Sequence, residues 1–241
     1  EERAARERHR KAHAAYCAAH GRPRGMTVAT ASSMDQVRPR DTDFAKLRPA
    51  ADLKLRLARG EYESLQIAVM AADGLKGVRV EAEGFPFAVK PRIVGYTNAK
   101  DLARYPQAYC EKSDTPCGYV RKTRPTPTGW YADPVMDFMG TRPVDVAPGD
   151  VQSFLITAKA PRDAAAGTYA GKVRVTAEGE APFEAALAVR VYGFEVPKVS
   201  ELPLLVSFTP YVQPLSLSWT EEQAEARRKD PEAPVNLWKR H

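Results

Sequence analysis

Residues 183–191 read Phe-Glu-Ala-Ala-Leu-Ala-Val-Arg-Val, with an apolar side chain at every second position: Phe183, Ala185, Leu187, Val189 and Val191. Successive side chains of a strand point to opposite faces, so this period buries one face and leaves Glu184 and Arg190 on the other. The same alternation runs through Leu53, Leu55 and Leu57 against Lys54 and Arg56, and through Leu65, Ile67 and Val69. It returns at Val78 and Val80, Phe87 and Val89, Val151–Ala158 and Thr168–Ala177, between turns that carry Gly and Pro: "APGD", "AAAGTYAG", "AEGEAP". About seven short strands at this spacing predict an all-β fold, an antiparallel β-sandwich. The strand–helix alternation of a doubly wound or barrel fold does not occur between residues 50 and 195.

The flanks have other characters. Residues 2–20 are rich in Ala, Arg, Glu and Lys and end at Gly21 and Pro23, which predicts an N-terminal basic helix within residues 1–25. The sandwich is expected over residues 26–198, interrupted by a long irregular insert at 97–149. From Val196 four prolines surround the apolar run Leu202–Phe208, and "SWTEEQ" offers Thr220 as a helix cap. Residues 199–241 therefore read as a linker and the start of a further, incomplete domain.

The 241 residues are 44% hydrophobic with a net charge of +6. No apolar run approaches the ~18 residues of a membrane span. Much of the positive excess sits in the first 24 residues. Basic residues are not interleaved with aromatics as in RNA-reading surfaces, so no nucleic-acid partner is expected. The six-residue spacing between Cys110 and Cys117, in a Ser/Asp/Thr/Pro-rich loop, suits a small disulfide in an exported protein, periplasmic, cell-surface or secreted. Cys17 would then be the odd, free thiol.

Several chemistries are disfavoured. His9, His13, His20 and His241 lie outside the sandwich, which argues against a His-based triad. The phosphate-loop, dinucleotide, HExxH, CxxC and EF-hand patterns are missing, and no cofactor is expected. His9, His13, Cys17 and His20 share one helical face, but strung along roughly 16 Å of a straight helix they cannot surround one metal ion. No metal site is expected there.

Carboxylates remain. Glu61 and Glu63, in "LARGEYESLQIAV", are two apart on a strand, which places them about 7 Å from each other on one face. That separation overlaps the roughly 5–9.5 Å of glycosidase pairs. Against this, the strand is tightly patterned with Leu65 and Ile67, which suits half-buried structural acids. Trp130, Tyr131 and Asp133 in "GWYADP" form the second candidate. Adjacent aromatics with a carboxylate can stack on a sugar and accept its hydroxyl hydrogen bonds, or pack against a neighbouring domain.

Taken together, "SSMDQVRPR", "LARGEYESLQIAV", "GWYADPVMD", "APGDVQSFLITAKAPRDAAAGTYAGKVRV" and "VRVYGFEVP" resemble the amino-terminal region of family 123 glycoside hydrolases and their uncharacterised relatives (the domain of unknown function 4091 superfamily). The family pieces read S-M-x-K-V-R-P, N-E-Y-E-x-x-Q, W-x-P-D-P-L and V-P-x-x-A-x-x-G-x-Y-x-G. The resemblance extends from Ala31 to Phe208, and its last motif matches in residue type and spacing. Gly60 stands where Asn is common, Ala132 replaces a Pro, and the cysteine loop is outside the pattern.

The resemblance implies a sandwich placed before a (β/α)8 barrel in a bacterial, hexosaminidase-like enzyme. Such enzymes cleave N-acetylgalactosaminides with retention, using the substrate's own acetamido group as nucleophile. Their assisting Asp–Glu pair would lie beyond residue 241, so this chain is expected to hold no catalytic residue. Leu202–Phe208 would enter the barrel, and Glu61 and Glu63 become scaffold positions. The leading expectation is a non-catalytic module partnered by its own barrel, with a glycan as a second candidate partner. The alternatives are a free-standing carbohydrate-binding module that stacks sugars on Trp130 and Tyr131, or a surface interaction module.

Overall fold

The structure, a computed structural model, describes residues 2–20, 25–99, 129–136, 139 and 142–197. The chain divides into two units, Glu1–Val196 and Pro197–His241. Beyond Pro197 the second unit, with the expected barrel entry, lies outside the described residues, as do Cys110 and Cys117.

Among the described residues one α-helix, α1 (Glu2–Ala19), precedes eleven strands: β1 (Thr27–Ser32), β2 (Arg48–Pro49), β3 (Leu53–Arg59), β4 (Tyr62–Met70), β5 (Leu75–Glu83), β6 (Val89–Ala99), β7 (Gly129–Met136), β8 (Val144–Val146), β9 (Val151–Lys159), β10 (Gly167–Thr176) and β11 (Phe183–Glu195). They form a six-stranded sheet in the order β2-β1-β4-β9-β6-β7 and a five-stranded sheet in the order β3-β11-β10-β5-β8. The expected two-sheet, all-β architecture is present. Its pairings are antiparallel except β3 with β11, which run parallel with Leu55 opposite Val189.

One difference from expectation has a local cause. The segment 97–149 is not wholly irregular: β6 continues to Ala99, β7 pairs with it from Ile93↔Met136 to Ala99↔Gly129, and β8 pairs with β5. Trp130 and Tyr131 are therefore strand residues rather than loop residues. The consecutive strands β3 and β4 belong to different sheets and do not form a hairpin. The turn between them crosses from one sheet to the other at Gly60, whose φ of +79° lies in the left-handed region that favours glycine.

The alternating residues meet as read. Ala185, Leu187, Val189 and Val191 of β11 face Leu65, Ile67, Val69, Phe154 and Ile156 of the opposite sheet in one core. Gly171 on β10 marks a close approach, because a Cβ there would stand 2.4 Å from Glu83 O and from the Phe85 ring. A second core lies on the outer face of the six-stranded sheet. There Ala29, Ala31, Ala68, Met70 and Val151 are covered by Tyr16 of α1 and by Val37, Phe44 and Leu47 of the β1–β2 connection. This is why β4 is buried on both faces, without interruption from Leu65 to Met70.

Candidate functional site

The segment 33–43, which carries "SMDQVRPR", runs over the outer face of the six-stranded sheet from β1 toward β7 and is fastened by polar groups. Gln66, on β4 and 3% exposed, donates through Nε2 to Ser32 O (2.6 Å) and Asp35 O (2.8 Å). Its Oε1 accepts from Ser153 Oγ at 2.7 Å, and Ser153 is 0% exposed. Val151 N donates to Pro39 O at 2.9 Å. At the far end the Gln36 side chain bonds the edge strand as another strand would. Ala132 N donates to Gln36 Oε1 at 3.1 Å, and Gln36 Nε2 donates to Ala132 O at 3.4 Å.

That placement brings two arginines onto the aromatics of β7. Arg38 Cζ stands 4.4 Å from the Tyr131 ring centroid and Arg40 Cζ 5.4 Å from that of Trp130, both within cation–π range. Arg40 Nε also donates to both carboxylate oxygens of Asp150, at 3.2 and 3.0 Å. A cavity of about 190 Å³ opens here, lined by Pro39, Arg40, Tyr96, Trp130, Asp150 and Gln152 among others. Tyr96 OH donates to Val151 O (3.3 Å) and accepts from Ser153 N (2.8 Å). Burial pushes its pKa well above the usual phenol range, so Tyr96 stays a neutral hydrogen-bonding group. Asp133, two residues along β7 from Tyr131, is exposed.

Trp130 and Tyr131 are thus neighbours on the edge strand, each with an arginine over its ring, and Trp130 lines a small polar cavity. Such a place can stack and hydrogen-bond a polar ligand or a neighbouring domain. Sequence reading singled out the aromatics but missed Arg38, Arg40 and Gln66. All three belong to the quoted "SSMDQVRPR" and "EYESLQ" motifs, and that membership was the available signal.

The paired glutamates are half-buried and engaged locally. Glu61 Oε2 accepts from Ala58 N at 2.6 Å, closing the turn between the sheets, and Glu63 Oε1 accepts from Ser64 N at 3.0 Å. Glu63 also lines a cavity of about 620 Å³ whose walls mix Asp35 and Asp52 with Lys46, Arg48, Lys54 and Arg56. Cys17 is a buried free thiol. Among the described residues no group of three or more His, Cys, Asp or Glu is placed to hold a metal ion, and no helix is long and apolar enough to cross a membrane.

Residues 32–177 match the family described as "Glycoside hydrolase 123 N-terminal domain". Among solved structures, a family 123 glycoside hydrolase from Clostridium perfringens, studied for glycolipid glycan hydrolysis, matches with a TM-score of 0.55 at 16% identity, over 71% of this chain and 28% of that one. This likeness shows the shared fold, and the chain spans little more than a quarter of that enzyme's length. A GH5 xyloglucanase from Bacteroides ovatus matches at a TM-score of 0.27 and 14% identity, over 73% of this chain and 23% of that one, too loosely to bear on the fold. No curated protein matches the chain.

Proposed function

The chain belongs to the family of glycoside hydrolase 123 N-terminal domains, and from that membership we propose that it is the non-catalytic β-sandwich of an exported bacterial glycoside hydrolase whose chemistry resides in a C-terminal barrel. The observation that carries this reading is the family match over residues 32–177, which spans strands of both sheets. In this reading residues 1–25 are a basic helix, 26–198 the sandwich, and 199–241 a linker and the first part of the barrel.

The parent enzyme cleaves N-acetylgalactosaminides with retention, the substrate's own acetamido oxygen serving as nucleophile. Glu61 and Glu63 are structural carboxylates, a role supported by the bond from Ala58 N that engages Glu61 inside a turn. Trp130, Tyr131 and Asp133 contact the glycan or the barrel. Their position at a sheet edge supports this. Cys110 and Cys117 form a disulfide in the exported protein.

The test is to express the open reading frame that carries this segment through to its stop codon and compare two aryl glycosides. Release from the N-acetylgalactosaminide but not from the corresponding galactoside is expected, because only the former carries the nucleophile. Equal turnover of both would overturn the acetamido mechanism. An absence of turnover with any aryl hexosaminide would overturn the hydrolase reading itself.

A further inference from the structure

The helix α1 is held to the sandwich by an unusual set of side chains. Among its described side chains the buried ones are His9, His13, Tyr16 and Cys17, so half of its docking stripe is imidazole. His13 is 1% exposed and His9 6%. Docking stripes of surface helices are ordinarily aliphatic or aromatic. Here the Phe44 ring, at the start of a short 3-10 helix, takes the central place. Its centroid lies 5.2 Å from His9, 6.0 Å from His13 and 5.6 Å from Tyr16. His13 Nε2 stands 3.3 Å from Cys17 Sγ, which accepts from Thr27 Oγ1 of β1 at 3.3 Å. With the Thr27 hydroxyl donating to sulfur, the thiol proton is free to bond His13 Nε2, an arrangement that needs that nitrogen unprotonated.

We propose that α1 is an acid-released strap, docked on the outer face of the six-stranded sheet while His9 and His13 are neutral and freed when they take up protons.

The charges facing the two imidazoles differ. Asp150, a hydrogen bond to the Gly149 backbone and Asp41 favour the proton on His9 from the loops beside it, but Asp150 is already bonded by Arg40. The electrostatic neighbour of His13 is His9, which disfavours a proton. Phe44 of the 3-10 helix, which packs on the pair, and Thr27 of β1, which bonds Cys17, are neutral. On the helix itself Arg10 lines a cavity of about 190 Å³ with His9, Arg8 adds positive charge, and Lys11 is paired with Glu7 at 3.9 Å. Burial dominates at both histidines and holds their pKa values below the usual imidazole range.

Because the docked state binds fewer protons than the released one, docking is fully present above the free imidazole pKa of about 6.5 and is lost as pH falls below it toward the lowered values. Release of α1 would withdraw Tyr16 from the face formed by Ala29, Ala31, Ala68, Met70 and Val151, leaving it covered by Val37, Phe44 and Leu47 alone. It would also bare the cavity that shares Arg40 and Asp150 with the Trp130 site.

Amide hydrogen exchange of the 241-residue chain, normalised to intrinsic rates, tests this at about pH 7.5 and pH 5. Protection in α1 should fall several-fold, because release lets two buried imidazoles take up protons, while β4 and β9 keep theirs. In the variant His9→Leu/His13→Leu the fall should vanish. Should that variant fail to dock, NMR titration of the imidazole protons of the unaltered chain decides. His9 and His13 are expected to protonate in the same step that α1 protection is lost. Unchanged α1 protection at pH 5, or protonation of both histidines under a still-protected helix, would overturn the proposal.

Discussion

Replacing Gln66 by leucine should loosen the segment 33–43 from the sheet at a cost of about 3 kcal/mol, worked from its three hydrogen bonds. Gln66 Nε2 donates to Ser32 O and Asp35 O, and Oε1 accepts from Ser153 Oγ. A net hydrogen bond contributes roughly 1 kcal/mol, so the three together contribute about 3 kcal/mol. Stranding the fully buried Ser153 hydroxyl adds about 1–3 kcal/mol. In the other direction, the carbonyls of Ser32 and Asp35 lie in a part-exposed segment that water can reach, and leucine adds apolar burial. The sum stays near 3 kcal/mol, less than the ordinary stability of a domain, so the variant should remain folded. Urea unfolding should show a midpoint lower by about 1–2 M at an unchanged slope. Pairing with Ser153→Ala should return a coupling of about 1 kcal/mol, since both residues belong to one network. A loss below about 0.5 kcal/mol, or strict additivity of the two changes, would refute the view that this buried amide fastens the segment.

Two further outcomes follow from local geometry. Gly171→Ala should destabilise the sandwich by at least about 1–3 kcal/mol in the same urea assay, because its methyl group would meet Glu83 O and the Phe85 ring; no measurable change would contradict the tight crossing drawn for β10. In spectrophotometric titration Tyr96 should stay un-ionised through about pH 10–11, where ordinary tyrosines ionise, and stability should fall as pH rises above the free phenol value, since the unfolded state then releases the proton first; the Tyr96→Phe variant should lack the late step.

The sandwich was legible where one side of a strand faces the core. On β11 the period-two residues Ala185, Leu187, Val189 and Val191 are the buried ones, and on β3 so are Leu53, Leu55 and Leu57. Pairing direction was not legible. Nothing in either strand's pattern distinguishes the parallel partnership of β3 and β11 from an antiparallel one, because partnership is settled by residues more than a hundred positions away. The second core was hidden for a related reason. Ala29, Ala31 and Ala68 are small enough to read as a solvated face, and only the arriving helix and loop make them interior. At the site, Trp130 and Tyr131 announced themselves by size, whereas Arg38 and Arg40 reach them from a segment some ninety residues earlier. Polar contacts at that separation leave no periodicity to read. The histidine stripe of α1 was visible as a stripe, but its burial was not, since imidazole suits a wet face as well as a dry one.

The most direct measurement is hydrolysis of an aryl N-acetylgalactosaminide by the 241-residue chain itself, beside the full reading frame as a positive control. A non-catalytic sandwich predicts release by the full-length protein and none above buffer by this chain. Turnover by the chain that disappears in Glu61→Gln or Glu63→Gln would contradict the structural role given to those carboxylates and place the chemistry in the sandwich.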